Sequence, residues 1–356
     1  MSSLAELVAK LRGAGEVERI YAAEDLGYLN LPEGVPALLE RLDQEPSRAV
    51  REAIFQALLR IEADAAMEGC IGLLGSDDPQ IRNQAVEVLR RKGARSIPFL
   101  GNLMRAGDKD QRKLVLDVLS GVPAASAQAI YEAALSDADP NVVITAVDNL
   151  GRARAMQFAG QIEKLLLAAS HPMLIGACLE ALGGMGDEHS MLAIRQRFPE
   201  LAAMPDFFLV SCLKAIGAFG TAGEFAEVAG LLAVRGPHLR PAILGALMAI
   251  HQRHPSATDE HLQPGLQALL QSMTEDGDLL CRYQAVRALG ILLSSGEVYP
   301  FLAACLSNPE RLVRLGAVES LRDAGLRGAG QPGWQELLAG CAKTETDHEV
   351  LQALNC

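Results

Sequence analysis

Apolar residues recur along this chain with the 3.6-residue period of a helix, and that helical segment itself recurs. The stretch from Arg82 to Leu89 serves as a template, with counterparts beginning at Arg19, Arg51, Arg112, Val143, Ile175, Leu209, Arg240, Arg282, Arg314 and Leu351. Seven of these eleven anchors are arginine, and successive anchors lie 30 to 42 residues apart. Seven places after the anchor stand Leu26, Leu58, Leu89, Leu119, Leu150, Leu182, Ile216, Leu247, Leu289 and Leu321. Four places after it stand Ala23, Phe55, Val86, Leu116, Val147, Leu179, Leu213, Leu244, Val286 and Val318. The third place is usually small, as at Ala22, Ala85, Ala146, Cys178, Cys212, Ala285 and Ala317. Offsets of three, four and seven share one helix face, so each anchor predicts a helix with a buried stripe.

A shorter apolar helix is predicted between consecutive anchored ones. Several open with an apolar residue followed by proline, as in Val35-Pro36, Ile97-Pro98 and Tyr299-Pro300. Proline is tolerated there because the first helical turn has no use for its missing N–H. Turns before the anchored helices carry Asp78-Pro79, Asp139-Pro140 and Asn308-Pro309, a capping side chain followed by a helix-starting proline. One such pair cannot bury its apolar faces alone, so neighbours must stack. The expectation is an all-α superhelix of about ten to eleven two-helix repeats, continuous over residues 1–356. Residues 1–30 read as an N-terminal capping repeat, 31–326 as central repeats and 327–356 as an incomplete C-terminal repeat. The two longest gaps place extra loop from His251 to Gln263 and from Leu326 to Gly333.

Apolar-Pro-x-Leu, then Asp-x-Pro, then Val/Ile-Arg-x-x-Ala-x-x-x-Leu at about 31 residues resembles the short bacterial type of HEAT repeat, most closely at Ile81 to Ala85 and Val313 to Ala317. The resemblance covers nearly the whole chain and implies a helical solenoid with its anchored helices on the concave face. It also implies a ladder of acid–arginine contacts between repeats, interrupted where Val143, Ile175 and Leu209 replace the arginine. Proteins of this kind are mostly scaffolds. Some are subunits of bilin lyases, and others are alkyl-base DNA glycosylases. No functional residue of the lyases maps onto this chain.

Composition narrows the function. Hydrophobic residues make up 49% but aromatics only 4%, so the core is built of helix-favouring aliphatic side chains. The formal net charge of −12 argues against nucleic acid, which needs a basic surface to displace counterions. A glycosylase groove, basic and with aromatics at the lesion, fits poorly too, because aromatics are scarce and the groove-facing column is acidic. Arginine outnumbers lysine 25 to 7, a weak bacterial hint. Seven dispersed cysteines suit free thiols in a reducing compartment. The start of the chain lacks the pattern of a signal peptide, and no apolar stretch is long enough to cross a membrane, so a cytoplasmic location is expected.

No catalytic pattern is present, and no enzyme activity, cofactor or metal is expected. Function is expected on the solvent side of the anchored helices, at offsets one and five. The fifth place reads Glu24, Gln56, Glu87, Asp117, Asp148, Glu180, Lys214, Gly245, Arg287 and Glu319, acidic in the early repeats and mixed later. It is either an ordinary solvated face or an acidic groove that attracts a basic segment. The first place is apolar or small at Ile144, Gly176, Val210 and Pro241, which marks either an interaction patch or a slight helix rotation that buries them. The sharper expectation is a protein partner, a basic or amphipathic segment, held on Glu24, Glu87, Asp117, Asp148, Glu180, Ile144, Val210, Lys214 and Arg287.

Lesser candidates have plainer readings. His251, His254, Asp259, Glu260 and His261 include metal-ligand types but lie in what reads as a polar loop. Cys178 and Cys212 read as inert packing residues. The glycine clusters 183–186 and 217–220 read as helix stops, and Trp334 as a plug in the last core. The final anchored helix has no repeat after it, which makes it a truncated end, a frayed cap or a helix completed by another chain.

Overall fold

All twenty residues in the fourth and seventh columns are buried, and so is the small third column. Those side chains define the core. The computed structural model describes residues 3–259, 264–293, 298–326 and 333–355. Within them the protein is an all-α solenoid of paired helices, with no strand among the described residues. It divides into two compact units, 1–155 and 156–356.

In the first unit the anchored helices are Glu16–Tyr28, Arg48–Arg60, Pro79–Lys92, Lys109–Leu119 and Pro140–Arg152. Each is preceded by a shorter partner: Leu4–Leu11, Val35–Gln44, Asp64–Leu73, Ile97–Ala106 and Gln128–Leu135. Anchored helices pack on anchored helices and short helices on short ones, giving two layers. The second unit repeats the plan with Pro172–Met185, Asp206–Phe219, Arg240–Arg253, Leu279–Leu292, Arg311–Leu326 and His348–Asn355 as anchored helices. In both units the anchor is the fourth residue of its helix, except Arg240, which is the first and follows a 3-10 turn at Pro237–Leu239.

The helix starts follow from capping. Asp78 and Asp139 each accept the N–H two residues on at 2.8 Å, with proline at the first helical position. Asp108 accepts the N–H groups of Asp110 and Gln111, and Gln111 returns its Oε1 to the Asp108 N–H.

The anchor arginines hold one repeat to the next. Arg19 grips Glu45 with two bonds, at 2.8 and 3.1 Å. Arg112 grips Asp137 the same way, at 2.6 and 2.8 Å, and Arg314 grips Glu345 at 2.8 and 3.0 Å. Arg51 reaches Asp78 at 2.8 Å, Arg240 pairs with Asp276, and Arg282 lies 3.7 Å from Glu310. Arg82 turns instead to the carbonyl of Ser76 in its own repeat. Where the arginine is replaced, other polar contacts stand in: buried Glu163 accepts the fully buried Ser190 hydroxyl at 2.6 Å, and His189 Nδ1 lies 3.1 Å from it.

Three sequence readings need correction. The segment after His251 is no plain loop, because Pro255–Asp259 forms a short helix whose Thr258 hydroxyl lies 2.8 Å from buried His251 Nδ1. Glu260 and His261 lie outside the described residues, and no cluster suited to a metal exists among those described. Gly183, Gly184 and Gly217 are inside helices, and only Gly186 and Gly220 stand at the ends. Trp334 opens the Trp334–Ala342 helix half-buried, and Leu338 is the buried residue of that helix. Gln331 and Pro332, just before it, lie outside the described residues.

Candidate functional site

At four joints between neighbouring anchored helices, two positions outside the core columns meet. The residue eight after one anchor faces the residue six after the next. A Cβ added at Gly27 would come within 2.7 Å of the Ala57 Cα, and one at Gly290 within 2.3 Å of the Ser320 Cβ. At Gly183 and Gly217 the nearest atoms are the Ala215 backbone N at 3.5 Å and the Ala246 Cα at 3.6 Å. At these four joints the helices pack backbone to backbone.

The same two positions between Arg48–Arg60 and Pro79–Lys92 carry Leu59 and Val88. These bulkier side chains wedge the helices apart, and a groove opens between them. It has two connected hollows of about 260 and 400 Å³, which share Glu52, Phe55 and Gln84. Phe55, Ile81 and Val88 are buried at its floor, and half-buried Leu59 completes it. Its rims carry charges that are already paired: Arg48 with Glu52 at 2.9 Å, Arg51 with Asp78 at 2.8 Å, and Glu87 with Arg91 at 2.7 Å.

The expected partner-binding residues fall on the solvent side of the anchored helices in both units. In the first unit Glu24, Glu87 and Ile144 are half-buried, and Asp117 and Asp148 are exposed. Glu87 also meets Arg90 at 3.4 Å, so its charge is largely answered within its own helix. Asp117 stays exposed, yet the protein around it displaces enough water to raise its pKa, against the pull of Lys113, Arg90 and Arg152. In the second unit Glu180 and Lys214, exposed on adjacent helices, form an ion pair. Arg287 is half-buried and tied to Glu319 at 3.3 Å and Asp323 at 2.7 Å.

Val210 remains 48% exposed, so no rotation of its helix hides it. It has company that the columns did not single out. Phe207 and Met173 are 61% and 55% exposed, and the Phe207 ring lies over Gly176, 3.1 Å from where a Cβ would stand. Met173, Gly176 and Glu180 run up one face of Pro172–Met185, and Phe207, Val210 and Lys214 up the same face of Asp206–Phe219. The patch is therefore apolar at its foot and closed by an ion pair at its head. The sequence signal was available two residues before each anchor.

Cys70, Cys178, Cys212, Cys281 and Cys305 are buried thiols, and burial pushes Cys70 and Cys212 up to about 12. Such thiols are poor nucleophiles at neutral pH.

Comparison with known proteins agrees with the architecture. The profile described as HEAT repeats matches residues 4–90 and 266–355. A relative, the bilin biosynthesis protein PecE of Mastigocladus laminosus, is 36% identical over 80 residues. That stretch is 22% of this chain and spans 30% of the relative's length. With the apolar columns buried and the acid–arginine contacts in place, this chain belongs to the HEAT-repeat proteins.

Proposed function

We propose that the chain is a non-enzymatic scaffold that holds a protein partner against the solvent side of its anchored helices. The observation that carries this reading is the exposed apolar group Met173, Phe207 and Val210 on two adjacent helices. Large apolar side chains gathered on a wet face mark interaction sites more often than chance exposure. The second unit offers this group to an aliphatic segment, and the first unit, taken by itself, offers Glu24, Asp117 and Asp148 to a basic one, with Ile144 beside them. Within each unit, stacked repeats spread modest contacts over several helices with little ordering cost of their own. The buried free thiols fit a cytoplasmic setting.

Partner capture from host extract by the full chain tests the reading. Phe207→Asp with Val210→Asp is expected to lower capture about tenfold, the loss of one or two buried apolar contacts. Leu192→Asp, on the short helix Glu188–Arg197 and equally exposed, is expected to leave capture unchanged. Charge reversal at Asp117 and Asp148 is expected to weaken it most at low salt. Equal capture by all variants removes the proposal.

A second reading rests on the likeness to PecE, whose name assigns it to bilin biosynthesis. There the chain is an accessory subunit of an enzyme system handling bilins. Mixing purified chain with free bilin decides it, because binding shifts and sharpens the pigment's visible absorbance and an unchanged spectrum counts against it.

A further inference from the structure

The groove held open by Leu59 and Val88 lies in the first unit and has no role in the scaffold reading so far. It includes Gln56 and Glu87 of the fifth column, but Glu87 is already paired with Arg91. The ionic groups on its rims are matched by neighbours within hydrogen-bond distance, so they offer little net charge to a ligand. What the rims leave unmatched are amides. Gln56, Gln80, Asn83 and Gln84 line the hollows with exposed side chains, and none of these amides is hydrogen-bonded to another described residue. A side-chain amide offers one carbonyl acceptor and one NH₂ donor, the same pair that a peptide bond presents.

We infer that this groove binds an extended, uncharged polypeptide segment of roughly five residues, apolar at alternate positions. The inference deepens the scaffold reading and rests on it. Length follows from geometry: the eleven residue steps from Arg48 to Leu59 span roughly 16 Å of helix, which about five extended residues cover. Alternation follows because successive side chains of an extended chain point to opposite sides, so every second one meets the apolar floor. A helical ligand does not answer the rim amides, because its own main-chain N–H and C=O groups are already bonded to each other. The main-chain amides of the extended segment then face the four rim amides.

The probe is a dye-labelled, end-capped pentapeptide series with leucine or valine at positions two and four and serine or threonine elsewhere, titrated against the full chain by fluorescence anisotropy. Saturable binding that is insensitive to salt is expected. Asn83→Ala with Gln84→Ala is expected to weaken it about tenfold, and N-methylation of the central peptide bonds by a similar factor. Leu59→Gly with Val88→Ala installs the small pair that closes the neighbouring Gly27–Ala57 contact and is expected to abolish binding while helical circular dichroism persists. The inference is overturned by no saturable binding, by equal binding of N-methylated peptides, or by a requirement for lysine or arginine in the peptide. Pentapeptide failure alongside partner capture that still depends on Phe207 removes only this inference. Indifference of capture to Phe207 removes the scaffold reading.

Discussion

Arg19 and Glu45 are almost entirely buried, yet each finds a full set of partners. Glu45 accepts two bonds from Arg19, one from Arg41 at 2.6 Å and one from the Ser47 N–H at 2.9 Å. Burial alone opposes ionisation of this carboxyl, but those bonds outweigh it and hold its pKa at about 2. Removing one member of such a pair leaves the other buried without compensation. Glu45→Ala is therefore expected to cost about 3–5 kcal/mol, read from urea unfolding, whereas Arg19→Met with Glu45→Leu costs much less. Equal losses in the two variants would show the pair to be net stabilising in itself. Glycines give the second contrast. Gly27→Ala forces a methyl into the Ala57 backbone and is expected to cost about 1–3 kcal/mol. Gly101→Ala, within Ile97–Ala106 and with nothing inside 4 Å, is expected to gain up to about 1 kcal/mol from helix propensity. The core columns were legible because leucine and alanine recur at fixed offsets. The role of Gly183 and Gly217 was not, since a glycine cluster after an apolar helix carries the same sequence signature as a stop.

Helix starts were the most legible elements, for capping is local and uses few residue types. Asp108 is a case without proline: its carboxylate satisfies two N–H groups, and Gln111 closes the box. Asp108→Ala is expected to cost about 1–2 kcal/mol and to fray the first turn of Lys109–Leu119, seen as faster amide exchange there. Unaltered exchange in that turn would mean that packing alone sets the start. The misreading at Pro255 has the same local origin. A proline after a histidine among polar residues reads as a loop, but proline also suits the first position of a helix, and here Thr258 reaches back to His251. Exposed Phe207 and Met173 were passed over for another reason: they lie in the turn before the anchor, outside the columns that defined the repeat.

Acid should destabilise the whole protein for reasons spread along both units. Hydrogen bonds from Arg314 and the Asp347 and Thr346 N–H groups hold Glu345 at about 2, as Glu45 is held. The Asp78, Asp139 and Asp276 carboxyls lie below their ordinary values, each chiefly through a backbone N–H that it accepts. A depressed folded-state pKa means the unfolded chain binds protons first as pH falls. The stabilisation is therefore whole above about pH 5 and fades toward about pH 2. Asp117 works in the opposite sense, but it stands against five. The melting temperature is expected to be level above about pH 5 and to drop steeply below about pH 4. Arg314→Met should flatten part of that drop, and an unchanged profile would contradict the assignment to Glu345.

The repeat count was legible at this scale because buried columns survive many substitutions. The groove was not, because it depends on two side chains 29 positions apart that form no motif. Leu59 and Val88 act as shims. Swapping a shim for a glycine, or the reverse, changes the spacing at one joint and leaves the buried columns untouched. Clefts in this architecture can accordingly be gained or lost one joint at a time, by single-codon steps, without refolding the stack.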